Sequence, residues 1–172
     1  RKEQNETIKG RTMLYNIRDC KKEFKENYDF IFIFDVLEHI EDTQEFINSA
    51  LFHLKKGGFL FVNVPAINGL LSRYDRAVGH LRRYDKRMLS AELKTLDIVD
   101  MRYWGLSLLP LLISRGLFLS KHISETEVIQ KGLNPPSQWV NQLLIKWMQL
   151  ETALIKRPAL GTSILAIATK PY

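Results

Sequence analysis

Two stretches of this chain collect side chains able to do chemistry. The first is Asp35, followed three and four residues later by Glu38 and His39. A carboxylate beside an imidazole can take a proton from an acceptor hydroxyl or amine, which makes Glu38 and His39 candidate general bases. The alternative is that they only hold a turn. Asp35, Glu38 and His39 are also a conceivable metal set, but nothing repeats at metal-ligand spacing, so no metal centre is expected. The second stretch, 73–84, carries Arg73, Tyr74, Arg76, His80, Arg82, Arg83 and Tyr84, diluted only by Asp75. Guanidinium offers a planar fork of donors that suits phosphate or carboxylate. His80, Arg82, Arg83 and Tyr84 are therefore candidates for holding an anionic or lipid-like small molecule, roofed by Trp104 and the apolar segment 106–119. The alternative is a solvated basic loop paired with Asp35, Glu38 or Asp85. Nucleic acid is the least favoured partner. The lone Cys20 has no glycine-rich elbow around it, so nucleophilic catalysis is not suggested.

These groups need elements to position them. Residues 30–34 are all apolar and rich in β-favouring types, with Asp29 before and Asp35 after. That pattern fits a strand buried on both faces in a parallel sheet, although a buried helical segment has a similar appearance. In open α/β sheets ligands bind beyond the carboxyl ends of the strands, which is where Asp35, Glu38 and His39 lie. Residues 42–45 have the form of a capping box, and Phe46, Ile47, Ala50, Leu51 and Leu54 recur at helical spacing. Lys55 and Lys56 are expected in the last turn of that helix, with Gly57 and Gly58 ending it. Residues 59–64 read as a second buried strand closed by Pro65. Asp85 is placed to cap a helix through Met88, Leu89, Leu93 and Leu96.

Further on, residues 98–104 read as a strand. Residues 106–119 are strongly apolar but broken by Pro110 and Arg115, and too short for a membrane span of about 20 residues. They fit a core helix or a lid touching a lipid-like substrate or a membrane surface. Residues 120–137 read as a flexible loop, 138–156 as a helix and 162–169 as a final buried strand. Residues 12–17 are a short strand candidate.

With 172 residues and 45% hydrophobic content, the chain is sized for one domain with a real core. A net charge of +6 indicates either a basic surface or an anionic partner. One cysteine excludes an internal disulfide framework and any multi-cysteine metal site. Residues 1–10 are polar and do not read as a signal peptide, so the default expectation is a cytoplasmic protein.

The run Tyr28-Asp-Phe-Ile-Phe-Ile-Phe-Asp-Val-Leu-Glu-His-Ile-Glu-Asp resembles the fourth strand and following loop of class I S-adenosylmethionine-dependent methyltransferases. Gly57-Gly-Phe-Leu-Phe-Val-Asn-Val-Pro65 is similar to their fifth strand. Gly79-His-Leu-Arg-Arg-Tyr84 and Leu160-Gly-Thr-Ser-Ile-Leu-Ala-Ile-Ala-Thr169 resemble one subgroup. The likeness runs from about Arg11 to the end.

The resemblance implies an α/β, Rossmann-like sheet covered by helices and lacking the first two strands. It also implies S-adenosylmethionine as cofactor and a small-molecule methyl acceptor. Asp19 and Cys20 would meet the adenine, through a carboxylate and a backbone N–H. Phe34 and Asp35 would line the methionine side through their backbone. The family's Gly-x-Gly-x-Gly loop is not in this chain, nor is the acid that ends its second strand. The chain therefore reads as the carboxyl-terminal two-thirds of such an enzyme, expected to be inactive alone. The alternative is a non-catalytic binding or assembly module on the same fold. The family order 3-2-1-4-5-7-6 leaves the fourth strand at an edge here. That edge is expected to be covered, either by 12–17 or by a second chain in a homodimer.

Overall fold

The computed structural model describes residues 12–118 and 137–172. The apolar run forms strand β1 (Tyr28–Phe34), parallel to β2 (Leu54–Pro65), with Phe30 opposite Phe59 and Phe34 opposite Asn63. Beyond β2 the chain makes β3 (Asp97–Trp104) and β4 (Ser163–Thr169). β4 pairs antiparallel with both β2 and β3, giving the order β1-β2-β4-β3. This is the 4-5-7-6 part of the expected sheet. Because β4 is reversed, its first residue, Ser163, lies opposite both Pro65 and Trp104. The carboxyl ends of β1, β2 and β3 thus share one rim.

Side-chain alternation sends Ile33, Leu60, Val62, Ile164 and Ala166 to one face. Helix α1 (Thr43–His53), the short α2 (Arg73–Ala77) and α3 (Lys86–Glu92) follow in the chain. Ile47 and Ala50 of α1 and Leu89 of α3 join that core, with no measurable exposure. Each large apolar side chain so buried contributes about 1.5–3 kcal/mol. The Asp42 carboxylate accepts from Glu45 N at 2.8 Å and starts α1, and Asp85 accepts from Met88 N at 2.8 Å and starts α3. Both caps were legible in the sequence.

Several expectations are corrected. Residues 12–17 form no strand. Asn16 instead caps a single 3-10 turn, Ile17–Asp19. The segment finds its partners on α1: Tyr15 Oη meets His53 Nε2 at 2.8 Å, and Arg18 reaches Glu45 at 3.3 Å. It therefore does not move in beside β1, which remains the sheet edge. Helix α1 stops at His53, so Lys55, Lys56 and both glycines belong to β2, where the Lys55 ammonium pairs with Asp29 at 2.8 Å. Gly57 has a left-handed φ of 71° inside that strand. Its N–H donates to Lys170 O at 2.8 Å, so the glycine makes a kink within the strand and not a helix cap.

Nor is β1 buried on both faces. Phe30, Phe32 and Phe34 are 56%, 60% and 49% exposed; across the open face of the sheet Phe30 stacks on Phe59 and Phe32 on Phe61, while Phe34 meets Phe32 edge-to-face. Pro110 does not break its helix. It occupies the first turn of α4 (Leu109–Phe118), where a missing N–H costs nothing. The loop expected over 120–137 lies outside the described residues, except for Ser137 at the start of α5 (Gln138–Leu154). Among the described residues no helix is long and apolar enough to cross a membrane.

Candidate active site

The shared rim carries a hydrogen-bonded chain of three side chains. Asp35 leaves β1 with a left-handed φ of 53°, and its N–H donates to Asn63 O at 2.9 Å. Asn63 Nδ2 donates to Asp35 Oδ1 at 2.9 Å, and Trp104 Nε1 donates to Asn63 Oδ1 at 2.8 Å. The amide of Asn63 thus ties the ends of β1, β2 and β3 together. A cavity of about 620 Å³ opens beside this chain, between the rim and α5. Phe34, Asp35, Asn63, Trp104 and Glu151 line it, along with Arg102 and Lys156.

Glu151 was not singled out from the sequence. It is 7% exposed and accepts three backbone N–H bonds: from Gly105 at 3.0 Å, Leu106 at 2.8 Å and Ser107 at 2.7 Å. Gly105, at φ 77°, makes the left-handed turn that points these three amides at one carboxylate. Burial alone would raise the Glu151 pKa. The bonds from Ser107, Leu106 and Gly105 outweigh it and hold the carboxyl below the usual range.

A second cluster forms where the turn after β1 meets the 66–84 loop. Glu38 is 1% exposed and His39 is exposed. His39 Nδ1 lies 3.0 Å from Gly79 O, and its ring sits edge-to-face with His80 at 4.8 Å between centroids. His80 Nε2 is 3.9 Å from Glu38 Oε1, and its Nδ1 is 3.1 Å from Asp75 Oδ1. Asp75 has no exposure. It also accepts from Arg83 Nη2 at 2.6 Å, from Ser72 N at 2.7 Å and from Ser72 Oγ at 2.6 Å. Burial would raise its pKa, but the bonds from His80, Arg83 and Ser72 hold it well below the usual carboxylate range. Burial pushes Glu38 the other way, above the usual range, against a smaller pull from its own backbone amide and from His80.

The sequence-derived candidates separate into groups. Phe34, Asp35 and Trp104 meet at the cavity, while Glu38, His39 and His80 meet at the cluster. Arg83 and Tyr84 are in the core, at 3% and 0% exposure. Arg83 donates to Asp75 and to Ala66 O at 3.2 Å, and Tyr84 donates to Leu37 O at 3.3 Å. Burial raises the Tyr84 pKa. These two hold the loop closed from inside. Arg82 lies at the surface and donates to Glu41 O at 3.1 Å. Asp19 ends the 3-10 turn against α1. Cys20, with φ 46°, lines a separate depression with Asp42, Glu45 and Phe52.

Asp19 and Cys20 therefore do not line the cavity that Phe34 and Asp35 line. Among the described residues, these two pairs are not brought to one pocket.

The order of strands, the reversed β4 and a cavity at the carboxyl rim define a class I methyltransferase-type sheet. The chain belongs to the methyltransferase domain family, whose profile matches residues 4–101, more than half of the chain. Among solved structures it is similar to an S-adenosylmethionine-dependent methyltransferase of Archaeoglobus fulgidus. The TM-score is 0.52 at 14% identity, over 92% of this chain and 66% of that one. It is also similar to a Bacillus halodurans protein assigned as a methyltransferase, with TM-score 0.50 at 15% identity, over 86% of this chain and 72% of that one. A weaker likeness is to phosphoethanolamine N-methyltransferase 2 of Haemonchus contortus, solved with phosphomonomethylethanolamine and S-adenosylhomocysteine. There the TM-score is 0.43 at 18% identity, over 87% of this chain and 35% of that one. No curated protein matches the chain significantly.

Proposed function

We propose that this chain is the acceptor-side part of an S-adenosylmethionine-dependent methyltransferase acting on a small molecule with apolar and anionic parts. The observation that supports this best is the cavity at the carboxyl rim, lined by Phe34, Asp35 and Trp104. Its wall combines aromatic and aliphatic surface with the cation Lys156 and with Arg102, whose guanidinium is paired with Asp100. A sulfonium donor supplies an activated methyl group, so the protein's share is to place the acceptor and manage its proton. In this reading Trp104 packs against the acceptor. Glu38, His39 and His80 form the proton-handling corner, and Arg83 and Tyr84 serve by holding the 66–84 loop in place. Asp19 and Cys20 keep the adenine role once the rest of the cofactor wall is present. The exposed apolar stripe Trp139, Leu143, Trp147, Leu150 and Leu154 on α5 suits a lipid-like acceptor or contact with a membrane surface. A cytoplasmic site of action goes with this reading.

Calorimetric titration with S-adenosylmethionine is the test. The 172-residue chain should bind at about 1 mM or weaker. The polypeptide as encoded, if it supplies the glycine-rich loop, should bind far more tightly and pass tritiated methyl to an acceptor. Micromolar binding by this chain alone would overturn the divided-pocket reading. Tight binding without transfer to any acceptor would leave a binding module.

The exposed phenylalanines and unpaired edge of β1 support a homodimer in which a second copy covers that face. Sedimentation at micromolar concentration should show a dimer that Phe32→Arg converts to monomer. A monomer before the substitution removes this partner.

A further inference from the structure

We propose that Glu38, His39 and His80 form a binding site for a divalent transition-metal cation of the zinc type. One ligand atom from each of the three lies within 4.8 Å of the others. Two imidazoles and one carboxylate are a donor set that suits zinc, with a fourth position left for water or a substrate oxygen. Ligand atoms around tetrahedral zinc sit about 3.3 Å apart, given bonds of about 2.0–2.1 Å. The widest pair therefore has to close by up to roughly 1.5 Å, and His39, the exposed member, is the one placed to supply that movement.

Two observations beyond proximity point to a cation. The first is the set of bonds that orient the rings. Gly79 O can only accept, so His39 Nδ1, 3.0 Å away, carries the proton. Asp75 Oδ1 accepts from Arg83 at 2.6 Å and lies 3.1 Å from His80 Nδ1, which places that nitrogen to donate as well. Each ring then keeps an Nε2 lone pair, and that of His80 lies 3.9 Å from Glu38 Oε1. Metal-bound histidines are usually oriented in this way, by a carbonyl or a carboxylate on the far nitrogen. The second observation is Glu38 itself. It is 1% exposed, yet its Oε2 has no hydrogen-bond partner. A buried carboxylate oxygen left without a partner is costly, and a bound cation removes that cost.

The sequence hid the site. Glu38 and His39 adjoin each other, but His80 arrives from a different loop, so no ligand spacing repeats. The expectation of no metal rested on that spacing, and it also took Asp35 as the third member. In the structure Asp35 is engaged with Asn63, and His80 takes its place. If the methyltransfer reading holds, a metal here would draw an acceptor oxygen to the open position and lower its pKa. Metal binding itself does not depend on that reading.

The test uses metal alone. Zn²⁺ is titrated into the metal-free chain against a chromophoric chelator, and Co²⁺ is used in parallel for its visible absorption. The expected result is one equivalent of Zn²⁺ bound with micromolar or tighter affinity, and Co²⁺ bands of four- or five-coordinate intensity. His39→Ala, an exposed position, should keep the fold and weaken binding at least tenfold. Glu38→Gln should do the same and lose the Co²⁺ bands. Absence of stoichiometric binding by the folded wild-type chain overturns the proposal. So does binding that His39→Ala and Glu38→Gln both leave unchanged. Neither readout involves the methyl donor, so the site and the methyltransfer reading stand or fall separately.

Discussion

Replacing Asp75 by alanine is expected to destabilise the fold by about 3–5 kcal/mol. The carboxylate has no solvent exposure and receives four hydrogen bonds, from Arg83, His80 and the two donors of Ser72. Its removal leaves the Arg83 guanidinium, only 3% exposed, with one remaining bond to Ala66 O. The Nε of Arg83 already lacks a hydrogen-bond partner, so the guanidinium is under-satisfied before Asp75 is removed. The loss is the cost of an uncompensated buried cation, not the net worth of the ion pair. That distinction gives a second arm. The double variant Asp75→Ala, Arg83→Met should recover a large part of the loss, because the orphaned charge goes with the arginine. Urea unfolding of the wild type, both single variants and the double variant closes the cycle. A change below about 1 kcal/mol for Asp75→Ala would show that the pair is solvated and that the 66–84 loop is not held by it.

This pair also marks the limit of what the sequence could say. A basic loop beyond a strand end reads as ligand-binding because its charges are taken to be exposed. Arg83 and Arg82 are adjacent and chemically alike, yet one is core and the other surface. Only the packing of Tyr84 under Leu37 decides which. The strands were legible because an unbroken apolar run leaves few alternatives: β1, β4 and the 59–64 half of β2 fall where hydrophobicity places them, while residues 54–58 of β2 carried no such run. Residues 12–17 failed for a different reason: a strand is a paired object, and the residues show no partner.

Asn63 and Glu151 carried a usable signal. Each is a polar residue, 8% and 7% exposed, set among apolar neighbours, and such groups persist only when hydrogen-bonded. Asn63 ties three strand ends together, and Glu151 gathers three amides. The union of His80 with Glu38 and His39 had no local signal, since it depends on how two loops close over the rim.

Glu151→Ala is expected to cost about 3 kcal/mol or more, because each buried amide left without a partner costs about 1–3 kcal/mol. Three amides share this carboxylate, those of Gly105, Leu106 and Ser107, at the turn that leads from β3 into α4. Water entering the neighbouring cavity can reach some of them, which keeps the estimate at the lower end. Glu151→Gln separates charge from geometry. It keeps one acceptor oxygen, so part of the network survives, but the charge-assisted strength is lost. The pH dependence follows from the depressed pKa of Glu151. A carboxyl whose folded pKa lies below its unfolded value of about 4.3 contributes its full stabilisation above that value. The contribution fades as pH falls through it towards the folded pKa. The stability gap between wild type and Glu151→Gln should therefore be constant near neutral pH and shrink below about pH 4. Urea denaturation of both proteins from pH 7 to pH 3 measures it. A gap that stays level down to pH 3, or widens, would mean that the carboxylate is not what holds the turn. The cavity wall between Trp104 and α5 would then need another support.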